Sequence, residues 1–162
     1  MLRIRPFEPK DLAQASQVIA DALRAYDAFL PAEVRADQEH PEDLLADTGS
    51  GLRFWVGLSD AGEIVGVMGL QPVGDIVLIR HGYIRTAWQR RGVGAALLTH
   101  LEAQAAEAHR IIIGTYRQNA AARAHLEKHG YRLCENSDAI LGRYYRIPDL
   151  QRAYSVAYAK EL

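Results

Sequence analysis

One cysteine, Cys134, is the whole thiol content of the 162 residues. No disulfide can close within the chain, and a reducing cytoplasm is the expected compartment. Net charge is nearly absent as well: 19 Lys and Arg stand against 20 Asp and Glu, for a net −1. Affinity for a phosphate backbone needs a basic surface, so no nucleic-acid partner is expected. Long hydrophobic runs are missing, and nothing approaches the roughly 18 continuous apolar residues of a membrane span. No membrane partner is therefore expected. The Met1–Pro6 start is too short and too charged for a signal peptide. Repeats, low-complexity tracts and linkers are also lacking. What is present is an ordinary globular composition, 49% hydrophobic and 24% charged. A chain of this length buries a core without a disulfide or metal staple, so one domain spanning 1–162 is expected.

The apolar pattern predicts an α/β chain. Residues 2–6 read as a strand. Residues 10–29 read as a helix with Leu12, Ala15, Val18, Ala22 and Leu23 at helical spacing, stopped by Pro31. A short helix is expected over 41–46, opened by Pro41. Strands follow over 52–58 and 63–70, joined by the turn-forming Ser59-Asp60-Ala61-Gly62, and over 75–84. A helix to about His109 carries the stripe Leu97, Leu98, Leu101, Ala105 and Ala108. Residues 111–115 read as a buried strand, and 119–129 as a helix closed by Gly130. Strands over 131–134, 140–147 and 153–159 would finish the sheet. The sum is a mixed, mostly antiparallel central sheet of about six to seven strands flanked by helices, with a helical crossover late in the chain.

The segment Gln89-Arg90-Arg91-Gly92-Val93-Gly94 joins the third of the long strands to the long helix. Alternate glycines opening into a helix expose several backbone N–H groups in one direction. The helix dipole and two arginines add positive charge there, which suits a phosphate or pyrophosphate. Arg80, Arg85, Arg90 and Arg91 lie close together in sequence, which strengthens that reading. A dinucleotide loop is disfavoured because Leu97 stands where the third glycine belongs. No Gly-Lys-Ser/Thr of a nucleotide-triphosphate loop occurs.

Gln89-x-x-Gly92-x-Gly94 also resembles the Arg/Gln-x-x-Gly-x-Gly/Ala signature of the GNAT superfamily, the acetyl-CoA-dependent N-acetyltransferases. Ile84, five residues earlier, stands where that family ends its fourth strand. Residues 111–115, Asn119, Ala122 and Glu127-Lys128-His129-Gly130-Tyr131 resemble its second conserved block, and the element order extends the likeness over nearly the whole chain. The resemblance implies that Gln89, Arg90, Arg91, Gly92, Val93, Gly94 and Ala95 hold the diphosphate of acetyl-CoA. It implies that the strand ending at Tyr83 and Ile84 parts from its neighbour at a bulge and pairs with the pantetheine arm, that Ile84 N–H polarises the thioester carbonyl, and that Asn119 lies beside the arm. A homodimer and a small-molecule or peptide amine acceptor are implied as well.

One departure concerns the family's tyrosine four residues before the second-block glycine, which protonates the leaving thiolate. Leu126 occupies that position. A thiol of pKa about 8.5 costs only about 2 kcal/mol to ionise at pH 7, whereas deprotonating a lysine-like amine costs roughly 4.6. A base therefore matters more than the missing acid, and Tyr83, Tyr116 or an ordered water is expected to substitute. His81 is the leading base because it lies on the strand feeding the loop and titrates near neutrality. A water chain and a carboxylate of the acidic 33–47 segment (Glu33, Asp37, Glu39, Glu42, Asp43, Asp47) remain open, and that segment is also a candidate for attracting the amine.

His125 and His129 share a helix face but lack the glutamate spacing and third ligand of a zinc site, so no metal is expected. Cys134 reads as a core residue rather than a nucleophile. The tyrosines at 144, 145, 154 and 158 read as strand packing, with an acceptor pocket or dimer contact as the other reading. The sequence thus points to direct acetyl transfer to a primary amine in a ternary complex. A catalytically silent acyl-CoA sensor is the alternative.

Overall fold

The computed structural model describes residues 1–36, 40–46 and 49–162. Seven strands form one sheet: β1 (Arg3–Pro6), β2 (Arg53–Leu58), β3 (Ile64–Val73), β4 (Ile76–Ile84), β5 (Arg110–Tyr116), β6 (Arg132–Leu133) and β7 (Ser155–Glu161). Their order across the sheet is β1-β2-β3-β4-β5-β7-β6. Every neighbouring pair is antiparallel except β4 and β5, which the helical crossover α4 (Val93–Gln104) forces to run parallel. The remaining helices are α1 (Leu12–Leu23), α2 (Ala32–Ala36), α3 (Pro41–Ala46), α5 (Ala120–Lys128), α6 (Ser137–Ile140) and α7 (Asp149–Ala153).

Alternation along the strands sends side chains to two faces. On one face Val77, Ile79, Ile111 and Ile113 pack under Leu97, Leu98 and Leu101 of α4 and Leu126 of α5. On the other, Phe54, Val56, Ile64 and Val67 bury Ala15, Val18 and Ile19 of α1. Beyond α1 on this second face, Ile76, Leu78 and Ile112 meet Leu141 and Tyr145. Gly66 is required by the close approach of α4 to β3. A Cβ there would stand 2.9 Å from both Val93 Cγ1 and Leu97 Cδ1.

Several boundaries differ from the sequence reading. The helix expected over 10–29 is α-helical only to Leu23 and tightens into a 3₁₀ segment, Arg24–Ala28. Pro31 stops it, but the chain resumes as α2 at once. The helix α4 ends at Gln104, five residues short of expectation. The largest correction concerns 140–147. It is not a strand but the end of α6 followed by a π-helical turn, Leu141–Tyr145. Ile140 with Tyr144 and Leu141 with Tyr145 are four apart, a helical spacing. Their β-forming side chains mask it. Ser137 anchors the start of this segment by donating to Cys134 O at 2.7 Å and accepting from Ala157 N–H at 3.0 Å. No helix among the described residues is long and apolar enough to cross a membrane.

The first strand is locked to the start of α1 by a two-point ion pair. Arg5 Nη1 and Nη2 donate to Asp11 Oδ2 and Oδ1 at 2.7 and 2.9 Å, and Glu8 N–H donates to Oδ2 at 2.8 Å. Hydrogen bonding to Arg5 outweighs the opposing effect of burial and holds the Asp11 carboxyl below its ordinary pKa. A depressed folded-state pKa stabilises above the unfolded value of about 3.9 and loses that contribution as pH falls through the folded one. Asp11→Asn is therefore expected to cost about 2 kcal/mol in urea unfolding at pH 7. The gap between variant and wild type should close on acidification below about pH 4; a gap independent of pH contradicts this account.

Candidate active site

The site begins where β4 and β5 part. Their parallel pairing runs from Ile76↔Arg110 to Ile79↔Ile113 and then stops, although both strands continue. The Tyr145 hydroxyl occupies the fork. It accepts the Gly114 N–H at 2.9 Å and lies 2.9 Å from Ile79 O and 3.0 Å from Ile112 O, to one of which it donates. Burial pushes the Tyr145 phenol well up, so it stays a neutral donor. Gly114 leaves room for Leu141 beside the ring, since a Cβ there would stand 3.0 Å from Leu141 Cδ2 and in ordinary contact, 3.5 Å, with Tyr145 Cζ. A phenol thus stands in for the next rung of the ladder and satisfies backbone groups that the parting exposes.

A bulge accompanies the fork. From Gly69↔Arg80 to Val67↔Tyr83, β3 advances two residues and β4 three. The extra residue lies around His81, whose φ of 55° is left-handed. Arg85 N–H bonds Val65 O at 2.8 Å on the β3 side. By alternation the N–H and C=O of Ile84, and those of Gly82, turn toward the open gap. The Gln89 side chain spans this edge, donating from Nε2 to Ile84 O at 3.3 Å.

The gap leads to the mouth of α4. Gly92 has φ 82°, and nothing lies within 4 Å of where its Cβ would be. Ala96 N–H makes the first helical bond, to Gly92 O at 3.0 Å. The amides of Val93, Gly94 and Ala95 precede it and have no carbonyl of their own helix to bond. Val93 is buried and anchors the turn. Arg90 (φ 63°) and Arg91 are exposed, and the Arg91 guanidinium lies 5.0 Å from the Trp88 ring. The four arginines clustered in sequence do not cluster in space. Arg85 turns back to Ile64 O (3.2 Å) and Glu63 (3.4 Å), and Arg80 turns to Gln71. Amide groups along the gap and donors with positive charge at its end fit a ligand with an amide-bearing arm and a diphosphate.

A cavity of about 450 Å³ adjoins the fork and is lined by His81, Tyr83, Tyr116, Asn119 and Leu126, with Tyr145 among them. The His81 ring lies 6.4 Å from Tyr83, nearly parallel at 25°, and 6.1 Å from Phe54. Tyr116 meets Tyr26 edge-on at 5.2 Å and Phe29 at 6.5 Å. Asn119 caps α5, its Oδ1 accepting from Ala122 N–H at 3.2 Å. Leu126 is buried in the α4 core and also reaches the cavity, so no hydroxyl occupies its place. His125 lines the cavity too. Burial first, then His129 and Lys128, hold its imidazole below its ordinary pKa.

Other sequence candidates fall elsewhere. Cys134 packs with the Leu141–Tyr145 cluster, its thiol pushed up by burial. Tyr158 is buried and bonds Glu127 at 2.8 Å. Glu33, Glu42 and Asp43 do not line the cavity, and Asp37, Glu39 and Asp47 lie outside the described residues. Sequence reasoning named Tyr145 only as strand packing or an acceptor-pocket residue and missed its place at the fork, and it missed the Gly82 amide. The four-residue spacing of Leu141 and Tyr145 was the available signal for the first, and none existed for the second.

The family model for the Acetyltransferase (GNAT) family matches residues 22–131. The chain belongs to the GNAT acetyltransferase family. Solved structures agree with this fold. The PaiA N-acetyltransferase of Thermoplasma acidophilum, in complex with coenzyme A, superposes with a TM-score of 0.78 at 13% identity over 100% of this chain and 99% of its own. An acetyltransferase from Streptococcus agalactiae gives 0.75 at 21% identity, over 99% and 98%. The ribosomal-protein-S18-alanine N-acetyltransferase of Escherichia coli gives 0.73 at 20% identity, over 99% and 94%. No match was found among curated protein sequences. The GNAT assignment makes the chain an acetyltransferase and makes acetyl-CoA the ligand to test at the gap.

Two outcomes follow. Tyr145→Phe leaves the half-buried Gly114 N–H without its acceptor and a buried carbonyl, Ile79 O or Ile112 O, without its donor, which should cost about 1–3 kcal/mol in urea unfolding and weaken coenzyme A binding in calorimetry. Unchanged stability and affinity would remove the phenol from its role at the fork. Reversing both Arg90 and Arg91 to Glu should weaken coenzyme A by about tenfold or more, and by less at high salt.

Proposed function

We propose that this GNAT protein transfers the acetyl group of acetyl-CoA to a primary amine of a small molecule or peptide, with both bound at once, in the cytoplasm. One observation carries the reading: the β4–β5 gap opens on one side to the donor-rich mouth of α4 and on the other to the 450 Å³ cavity. Acetyl-CoA supplies an acyl group activated as a thioester. The amides of residues 92–95, with Arg90 and Arg91, hold its diphosphate. Gln89 orders the strand edge, and Ile84 N–H polarises the carbonyl. Asn119 keeps the start of α5 beside the arm. Attack needs a neutral amine, and His81 is the base that takes its proton. With leucine at 126, Tyr83 or Tyr116 returns a proton to the sulfur from the cavity side.

The burial of Leu126 favours one other reading, a silent acyl-CoA sensor. Coenzyme A release from acetyl-CoA across a panel of amines separates the two. The expected result is release with at least one amine. Binding of acetyl-CoA without release for any amine supports the sensor. His81→Asn retains a residue that tolerates positive φ. It should lower kcat/KM by about 10²-fold or more, flatten its rise with pH, and leave coenzyme A affinity in place. A parallel loss of coenzyme A binding would assign His81 to shaping the bulge instead.

A further inference from the structure

The cavity holds a cation that nothing in the described structure neutralises. Arg80 is half-buried and lines it. Its Nη1 donates to Gln71 Oε1 at 3.0 Å, Nη2 reaches Tyr145 O only at 3.5 Å, and the guanidinium rests 4.9 Å from the Tyr145 ring centre. Its Nε is buried without a partner. Arg5, Arg85 and Arg152 are also partly buried and have carboxylates, Asp11, Glu63 and Asp138, and Arg123 instead spends its donors on the Tyr158 hydroxyl and Arg117 O. Arg80 has none among the described residues. Arg146, held at a left-handed φ of 51°, adds a second guanidinium-bearing residue to the same lining, and no described Asp or Glu lines the cavity. A half-buried guanidinium without a carboxylate is an incomplete ion pair, and a fork of donors fits a planar carboxylate.

The bulge explains how this cation meets the chemistry. In a regular strand Arg80 and His81 would face opposite sides. The left-handed His81 breaks the alternation, and both residues line one cavity. Their Cα atoms are about 3.8 Å apart, as consecutive residues must be. An amine at His81 and an anion at Arg80 therefore belong to one short molecule.

We propose that the acceptor is a small zwitterion, a primary amine with a carboxylate close beside it as in a free amino acid, and that Arg80, assisted by Arg146, receives the carboxylate. This rests on the acetyl-transfer reading and narrows it, because the α-amine of a peptide has no adjacent carboxylate. The test compares free L-amino acids with their α-amides and with the corresponding decarboxylated amines, both by coenzyme A release and by calorimetry on the coenzyme A complex. The wild-type protein should prefer the carboxylated member of a set by at least about tenfold in kcat/KM. In Arg80→Gln this ratio should collapse toward one, chiefly through KM, with Arg80→Lys restoring part of it. A guanidinium that only props Tyr145 would instead lower all members alike and leave the ratio intact, which overturns the proposal. So does wild-type acetylation of amides as readily as acids, a result that leaves acetyl transfer standing and does not depend on any variant folding. Binding of amino acids in preference to their amides without turnover sustains the carboxylate site and overturns acetyl transfer. No binding and no turnover of any member overturns both.

Discussion

The parting of β4 from β5 is the constraint on which the site depends, and it creates a debt of hydrogen bonds at the fork. Parallel strands that separate leave N–H and C=O groups facing each other across a widening gap. Here one hydroxyl, from Tyr145, meets three of them. A phenol suits the position because it accepts and donates at one atom and carries an apolar ring that fills the space beneath. Gly114 completes the arrangement by lacking the Cβ that would crowd Leu141. The same ring supports the Arg80 guanidinium, so the fork and the cation in the cavity share one prop.

The bulge at His81 and the mouth of α4 act on the two ends of the same strand edge. The bulge resets alternation, turning Arg80, His81 and Tyr83 to the cavity while leaving Gly82 and Ile84 backbone groups toward the gap. The helix mouth is held against the sheet by the contact of Val93 and Leu97 with Gly66. A further tie comes from α1, where Asp21 accepts the Thr86 N–H at 2.6 Å and fixes the turn between β4 and the loop. Backbone position, rather than a special set of side chains, thus aligns the glycine turn at the mouth of α4 with the cavity. This is why a leucine at 126 leaves the scaffold of the site intact.

Much of this was legible in the sequence wherever the cause is local. The Ser59–Gly62 turn, the stripe of α4, the glycine loop and the Gly130 stop after α5 follow from short-range rules. Residues 140–147 were misread because Ile140, Leu141, Tyr144, Tyr145 and Ile147 suit a strand by propensity. Burial of Leu141 and Tyr145 against Leu78 and Ile112 selects the helical path instead. The arginine cluster failed for a similar reason. Proximity along a strand says nothing about face, so Arg80 and Arg85 left the group that Arg90 and Arg91 form at the helix.

The sequence by itself determined the glycine turn that opens α4, the crossover that makes β4 and β5 parallel, and the family to which both belong. The turn is encoded by residues within a few positions of one another, and the crossover and the family by short blocks in a fixed order along the chain. Tertiary structure alone decided what faces the cavity. Tyr145 lies 66 positions beyond Ile79 in the chain, and the side on which His81 emerges depends on its own left-handed conformation, which histidine tolerates but the strand pattern does not announce. Contacts between distant segments and the face on which a side chain emerges depend on the packing of the whole sheet, and a linear pattern does not contain them.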